Sequence, residues 1–431
     1  MRIVSLLLSQ QVADFILFFL GLTGTLSFFA REYLNIPYHS VLPVLVAFLA
    51  SLAFSNRLKV LRAQKKHNIS DRKNIIKFFL VIFLACILFR GFFLPVKGWD
   101  AYSLYDLRAR VFKEGVLQSG LASFTKYDET NPLYYFSYPP MTSSIHAVIY
   151  SFGIKTPMFI YALFYISLVL YTYNIYKDLK MHYLLKVGFM IVSVGFPLIL
   201  QQVSIAYTNL PMMAFQWGAL FHLLKYKDFK KKSNLIASAT LLGFSIWTRI
   251  LEPTFLGFFI VTIIIVVTES AKVILKLTKL AFYCLIALLP RFIWTEYLSN
   301  SIGTIGKTAP SLLEVFMGLW KSFNVARMLE VLFFVFVSLI EIRIYLLLFL
   351  IVIIFWVYLS KKSNATSTST ILIVLVLSIC SVMLSGILYL SSAFVWWDKI
   401  PGSFLRSNLI LVPLISLCAA FLIHENGKKN L

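Results

Sequence analysis

The sequence predicts an all-α polytopic membrane protein of about twelve transmembrane helices, and three observations predict it. Apolar runs of roughly 20 residues, the length of helix that crosses a bilayer's hydrocarbon core, recur along the chain. Charged residues make up 13% of the sequence, against about a quarter in ordinary soluble domains. The 40 Lys and Arg fall in short clusters between the apolar runs, the positive-inside pattern that orients spans. Lipid offers no partner to an open backbone group, so the spans are expected to be helical. The alternation of an outer-membrane barrel strand is absent. The net charge of +22 is divided among the turns, which points to topology and to no nucleic-acid partner.

Taken in order, the first span is expected over Val12–Ala30 and the second over Tyr38–Phe54. The segment RLKVLRAQKKHNISDRK follows, with seven Lys or Arg. It belongs on the cytoplasmic side, which puts the N-terminus there too. Arg2 before the first run reads as the flank of a retained span and not of a cleaved signal. The third span, Ile75–Leu94, then exits, and residues 96–150 become the first large extracytoplasmic loop. Here Asp100, Asp106, Glu114, Asp128 and Glu129 meet Lys97, Arg108, Arg110, Lys113 and Lys126. Acids gathered in one wet loop beside a bilayer mark the place where chemistry is expected. Leu104, Leu107, Val111 and Phe112 share a helical face, with Arg108 and Lys113 elsewhere, which predicts an interfacial helix over Tyr102–Lys113. The stretch after Pro139–Pro140 is too short and polar to cross, and predicts a second interfacial or re-entrant helix over Met141–Tyr150.

The fourth to ninth spans are expected over Met158–Tyr176, Val187–Ile205, Leu210–Leu224, Leu235–Trp247, Thr254–Val267 and Leu280–Trp294. Residues 295–340 form a second extracytoplasmic or interfacial segment. Glu341 and Arg343 end it, because each charge at the bilayer centre costs about 2.5–3.5 kcal/mol. The tenth span follows over Tyr345–Tyr358, the eleventh over Ile371–Leu390 and the twelfth over Leu409–Ile423, leaving the C-terminus cytoplasmic. The whole chain, 1–431, reads as one transmembrane domain. Cys86, Cys284, Cys380 and Cys418 lie inside apolar runs with no metal-binding spacing, so they are expected to be small buried hydrophobes. No cluster of divalent-cation ligands is evident.

Outside corners repeat one grammar: a span ends, polar groups follow, and a proline starts the next helix. They are SYPP (Ser137–Pro140), YTNLP (Tyr207–Pro211) and TRILEP (Thr248–Pro253), and GSFLRSN adds Arg406 before the last span. Together with WDAYSLYDLRARVFKEG after a span, these corners resemble the GT-C superfamily of integral membrane glycosyltransferases. The likeness is to bacterial and archaeal members related to the protein O-mannosyltransferases and the aminoarabinose transferase, over Trp99 to Arg406. The sequence departs from that pattern in three places. Ser137 stands where an Asp often precedes the Tyr-Pro, Asn209 where Asp is frequent, and Arg249 and Glu252 have two residues between them where the corner is usually compact.

The resemblance implies a GT-C-like fold and transfer of a sugar from a polyprenyl-phosphate donor to a hydroxyl on a glycan, lipid or protein acceptor, with inversion. Asp100 would be the base that takes or orients the acceptor proton. Arg406, Arg249 and Lys399 would hold the lipid phosphate, guanidinium groups offering a planar fork to its oxygens. Glu252, Asn209 and Tyr138 would complete the site. Plainer roles compete with these. Asp100 is placed to cap the helix that follows, Asp106 to pair with Arg110 at i, i+4, and Glu252 to pair with Arg249. Arg406 is placed to snorkel, His146 to pack, and Trp396 and Trp397 to anchor the interface. Two other functions fit a polytopic chain: a lipid-linked oligosaccharide flippase or transporter, and a polysaccharide polymerase or ligase. No repeat of halves is visible, and the polar residues gather at the outer rim, which favours the enzyme.

Overall fold

The computed structural model describes residues 2–57, 71–98, 101–114, 139–179, 181–249, 254–302 and 409–429, with short pieces at 325–326, 329–330, 333, 337, 372–373, 376–380 and 406. The expected tenth span, most of the eleventh and most of the second extracytoplasmic segment lie outside the described residues. Among the described residues every regular element is helical. In chain order they are α1 (Arg2–Leu7), α2 (Gln10–Leu34), α3 (Val41–Arg57), α4 (Asp71–Gly91), a π-helical turn (Ala101–Asp106) running into α5 (Leu107–Glu114), and α6 (Met141–Ser151). Then come α7 (Phe159–Asp178), α8 (Tyr183–Val194), α9 (Pro197–Gln202), α10 (Asn209–Phe229), α11 (Lys232–Thr248), α12 (Thr254–Val267), α13 (Val273–Ile302) and α14 (Leu411–Lys429).

Among the described residues three helices are long and apolar enough to cross a membrane: α2, α7 and the Val273–Tyr297 part of α13. The packing of α3 fits a membrane protein, because its apolar chains face out and its small and polar ones face in. Helix α3 exposes Leu42, Leu45, Leu49 and Leu52 while it buries Ala47, Ser51 and Ser55. A helix in water does the reverse. The Ser51 hydroxyl donates to the carbonyl of Ala47 at 2.6 Å, so the buried side carries no unmet hydroxyl there.

The chain forms two compact units. The first comprises 1–175, 199–249 and 286–301. In it α10 and α11 pack as an antiparallel hairpin, α2 packs on α3 and α6, and α5 packs on α6. Close approach is set by small residues, as expected where lipid supplies no hydrophobic drive between helices. A side chain on Gly24 would meet the Met141 sulfur at 2.6 Å, and one on Gly218 would meet Tyr171 at 3.0 Å. Large rings fill the rest: Phe18, Phe215 and Phe244 touch in series, and the Trp217 indole donates to Thr172 Oγ1 at 3.0 Å. The second unit comprises 176–198, 250–285 and 302–431. There α8 packs on α14, joined by hydroxyls: Tyr176 meets Ser193 at 2.7 Å and Ser416 at 3.1 Å.

Several expectations need correction. The fifth span is not continuous. It stops at Val194 and a short helix restarts at Pro197, because a proline disfavours helical backbone at the residue before it and suits a first turn. The ninth helix is longer than expected at both ends, Val273–Ile302, and runs through Pro290. Of the four cysteines Cys418 is buried, Cys284 and Cys380 are half-buried, and Cys86 is exposed on α4. An apolar run in lipid has an outward face as well as a core face, and composition does not tell them apart.

Candidate functional site

The first wet loop opens on Gly98, whose φ of 102° lies in the region that only glycine enters freely. A Cβ there would also meet the Tyr207 ring and hydroxyl at 3.0 Å. Gly98 therefore lets the exit of α4 lie flat under the YTNLP corner. Its carbonyl accepts from Tyr102 N at 3.1 Å, starting the π turn. One turn on, the Tyr105 and Thr208 hydroxyls share a buried hydrogen bond of 3.1 Å. The loop and the corner are thus tied at two successive points.

Helix α5 buries a different face from the one its apolar pattern suggests. Tyr105, Asp106, Arg108, Ala109 and Phe112 are inside, while Leu107 and Val111 are half-exposed. Polar partners on α6 turn it. The Arg108 guanidinium, 6% exposed, donates from Nε to Ser143 Oγ at 2.9 Å and from Nη2 to the Pro139 carbonyl at 3.1 Å. The SYPP corner is thereby fastened through its backbone. Burial brings the Arg108 guanidinium down to about 10, so it keeps its charge at neutral pH.

Asp106 pairs with Arg110 at 2.9 Å, as the i, i+4 spacing predicts, and also accepts from the Tyr150 hydroxyl. Burial, and then the Asp106 carboxylate, push the Tyr150 phenol up. Arg110 lies over the Tyr150 ring at 5.0 Å. His146 is fully buried, as expected of a packed residue, with Nε2 at 3.2 Å from the Tyr161 hydroxyl. Burial pushes its imidazole down to about 4.

The YTNLP and TRILEP corners are joined directly. Asn209 is the first residue of α10 and is 3% exposed. Its Oδ1 accepts from Arg249 Nη1 at 2.6 Å and its Nδ2 faces Gln202 Oε1 at 3.5 Å. Arg249 follows the end of α11 in extended backbone, which carries its side chain across to α10. An Asp at position 209 would have made an ion pair here. The amide keeps the geometry without neutralising the guanidinium.

Of the residues singled out from the sequence, Asn209 and Arg249 are brought together. Arg406 is a half-buried helical residue of the second unit. Asp100, Tyr138, Glu252 and Lys399 lie outside the described residues, and with them the expected pairing of Glu252 with Arg249. Sequence reasoning passed over Gln202, Tyr105 and Thr208. Only the last carried a signal, its place inside a corner already singled out. Among the described residues no group of three or more His, Cys, Asp or Glu is placed to hold a metal.

A groove of about 560 Å³ lined by Phe29, Tyr33, Phe292, Ile293, Thr295 and Glu296 opens between α2 and α13 in the same unit. Phe29 stacks on Trp247 at 6.1 Å, two residues before Arg249. Among the described residues the fold is all-helical, with three helices long and apolar enough to cross a membrane and a polar cluster in the first unit. Compared with family models, with curated proteins and with solved structures, the chain matches none.

Proposed function

We propose that this chain is an integral membrane glycosyltransferase of the GT-C kind. It would transfer a sugar from a polyprenyl-phosphate carrier to an acceptor hydroxyl on the extracytoplasmic face, with both termini cytoplasmic. The observation that carries the reading is the meeting of the corners at one end of the first unit. Tyr207 and Thr208 lie on the start of the wet loop, Arg108 holds Pro139, and Arg249 reaches Asn209. These are the segments that the family resemblance assigns to the reaction.

In this reading Asp100, two residues beyond Gly98, takes or orients the acceptor proton. Arg249, aimed by Asn209, holds the departing phosphate, and Arg406 and Lys399 serve the same anion. The groove beside Phe29 takes part of the isoprenoid tail, since its apolar floor continues toward Trp247. The test uses purified full-length protein with polyprenyl-phosphate-linked sugars. Asp100→Asn should lower turnover by roughly 10²–10⁴-fold, the usual weight of a general base, while carrier binding survives. Turnover at the wild-type rate would remove Asp100 from the role. Failure of the wild type to bind any lipid-linked sugar would sink the class and advance the flippase reading. That second reading draws on the interrupted helix at Gly195–Phe196, since transporters place sites at broken helices.

A further inference from the structure

Away from the loop end, the first unit holds a buried ionisable pair that the glycosyl-transfer reading does not use. Asp14 lies in the second turn of α2 and is 0% exposed. Ionisable groups inside membrane bundles typically pair and mark proton or ion paths. Asp14 Oδ1 accepts from the Tyr171 hydroxyl at 2.6 Å and lies 2.8 Å from His222 Nε2. Its Oδ2 accepts from Gln10 Nε2 at 3.2 Å. His222 is also 0% exposed, and its Nδ1 faces Asn234 Oδ1 at 3.4 Å. Four helices supply the members: α2 gives Asp14 and Gln10, and α7, α10 and α11 give one each.

The atoms facing His222 decide its chemistry. A carboxylate oxygen and an amide carbonyl oxygen both only accept. A ring that satisfies both must donate from both nitrogens and is therefore an imidazolium. The Asn234 Nδ2 meanwhile has no partner among the described residues, which is costly for a buried donor. Rotating that amide by half a turn reverses the demand. Nδ2 would then donate to a bare Nδ1, and the ring would be neutral. The site thus has two hydrogen-bonding states that differ by one proton. On release, the Nδ1–H bond breaks, the proton passes to water, and Nε2–H stays on Asp14. Tyr171 is the titratable group facing the pair from α7, and Gln10 and Asn234 are neutral amides from α2 and α11. Lys225, one turn along α10, is drawn over the Phe221 and Phe229 rings.

We propose that Asp14 and His222 form a buried proton-binding site, with the Asn234 amide reporting its occupancy and the occupied state tying the four helices together. The site is independent of the glycosyl-transfer reading. The experiment is nitrogen-15 solid-state NMR of the full-length protein in lipid nanodiscs, labelled at its six histidines. The His222 signals are assigned by their loss in His222→Gln. Wild type should show both His222 nitrogens protonated at neutral pH, with one bare nitrogen appearing as pH rises. In Asp14→Asn the bare nitrogen should already be present at neutral pH. A purely structural contact would show one bare nitrogen at every pH from about 5 to 9, or a pattern unchanged by Asp14→Asn, and either result overturns the proposal. Should Asp14→Asn not fold, the wild-type titration and Asn234→Leu decide. Losing the group that accepts from Nδ1 should bring the bare nitrogen in at lower pH than in wild type, and no shift would overturn the assignment.

Discussion

The two polar clusters of the first unit differ in where their members come from. At the loop end, Asp106, Arg108, Tyr105 and Thr208 are drawn from wet segments and lean on backbone as much as on one another. Arg110, which pairs with Asp106, is 59% exposed. In the bundle interior, Asp14, Tyr171, His222 and Asn234 come from four packed helices, and both members of the ion pair are 0% exposed. At the first, solvent reaches the Arg110 end of the pair, while at the second neither member of the pair meets solvent. The interior cluster must keep every member or be rebuilt.

The largest expected effect follows from that contrast. Asp14→Ala removes one partner of a buried pair and leaves His222 facing an empty space, a change that costs roughly 3–5 kcal/mol where such pairs have been broken. Arg110→Ala removes a partner that is largely exposed and leaves the buried Asp106 its Tyr150 hydroxyl, so the loss should be the smaller of the two. Thermal unfolding of both variants in one detergent should separate them by many degrees. Equal losses would mean that water reaches the interior pair.

The next effect concerns acid. His146 belongs to α6, outside the membrane-spanning segments, and burial pushes its imidazole from the usual 6.5 to about 4. Above pH 6.5 it is neutral folded or unfolded and contributes no pH dependence. Between there and about 4 the unfolded chain takes up a proton that the folded chain refuses. Stability therefore falls as pH drops through that window, by roughly 3 kcal/mol at about 1.4 kcal/mol per unit. His146→Gln keeps a polar partner for Tyr161 but does not titrate. The stability of wild type relative to His146→Gln should decline steadily from pH 6.5 to 4, and a flat difference would show that water reaches the ring.

How much of this was legible in the sequence follows the same division. The helices were, because length and apolar content signal a span whatever it packs against: α2, α3, α4, α7, α10, α11 and α12 all fall where the runs place them. That α5 and α6 are helices was too, since the spacing of α5 and the proline pair before α6 are local signals. The buried face of α5 was not. Arg108 turns inward because Ser143 and the Pro139 carbonyl wait for it on another helix, and no local pattern carries that. Asp14 had a signal in hand, a lone acid between Ala13 and Phe15 in an apolar run, and such an acid requires a partner. Its partner lies 208 residues away, and one sequence holds nothing to join them. Asn209 and Arg249 became candidates through their corners, but only the fold shows that one aims the other.

The smallest effect tests whether the loop end is built from weak couplings. The Tyr105 and Thr208 hydroxyls share one buried bond of 3.1 Å between the π turn and the first turn of α10. Tyr105→Phe leaves the Thr208 hydroxyl buried beside an apolar ring edge, a loss of about 1–3 kcal/mol. Thr208→Val keeps the branched shape and leaves the phenol in the same position. Changing both removes the two polar groups together and should cost less than the sum of the single changes, since a matched apolar pair can be nearly neutral. The double-mutant cycle should return a coupling of about 1 kcal/mol, within the usual range for touching residues. A cycle between Asp14 and His222 should give several times that value. A Tyr105–Thr208 coupling as large as the buried ion pair's would mean that the first loop is locked to the YTNLP corner and that the two move only as one piece.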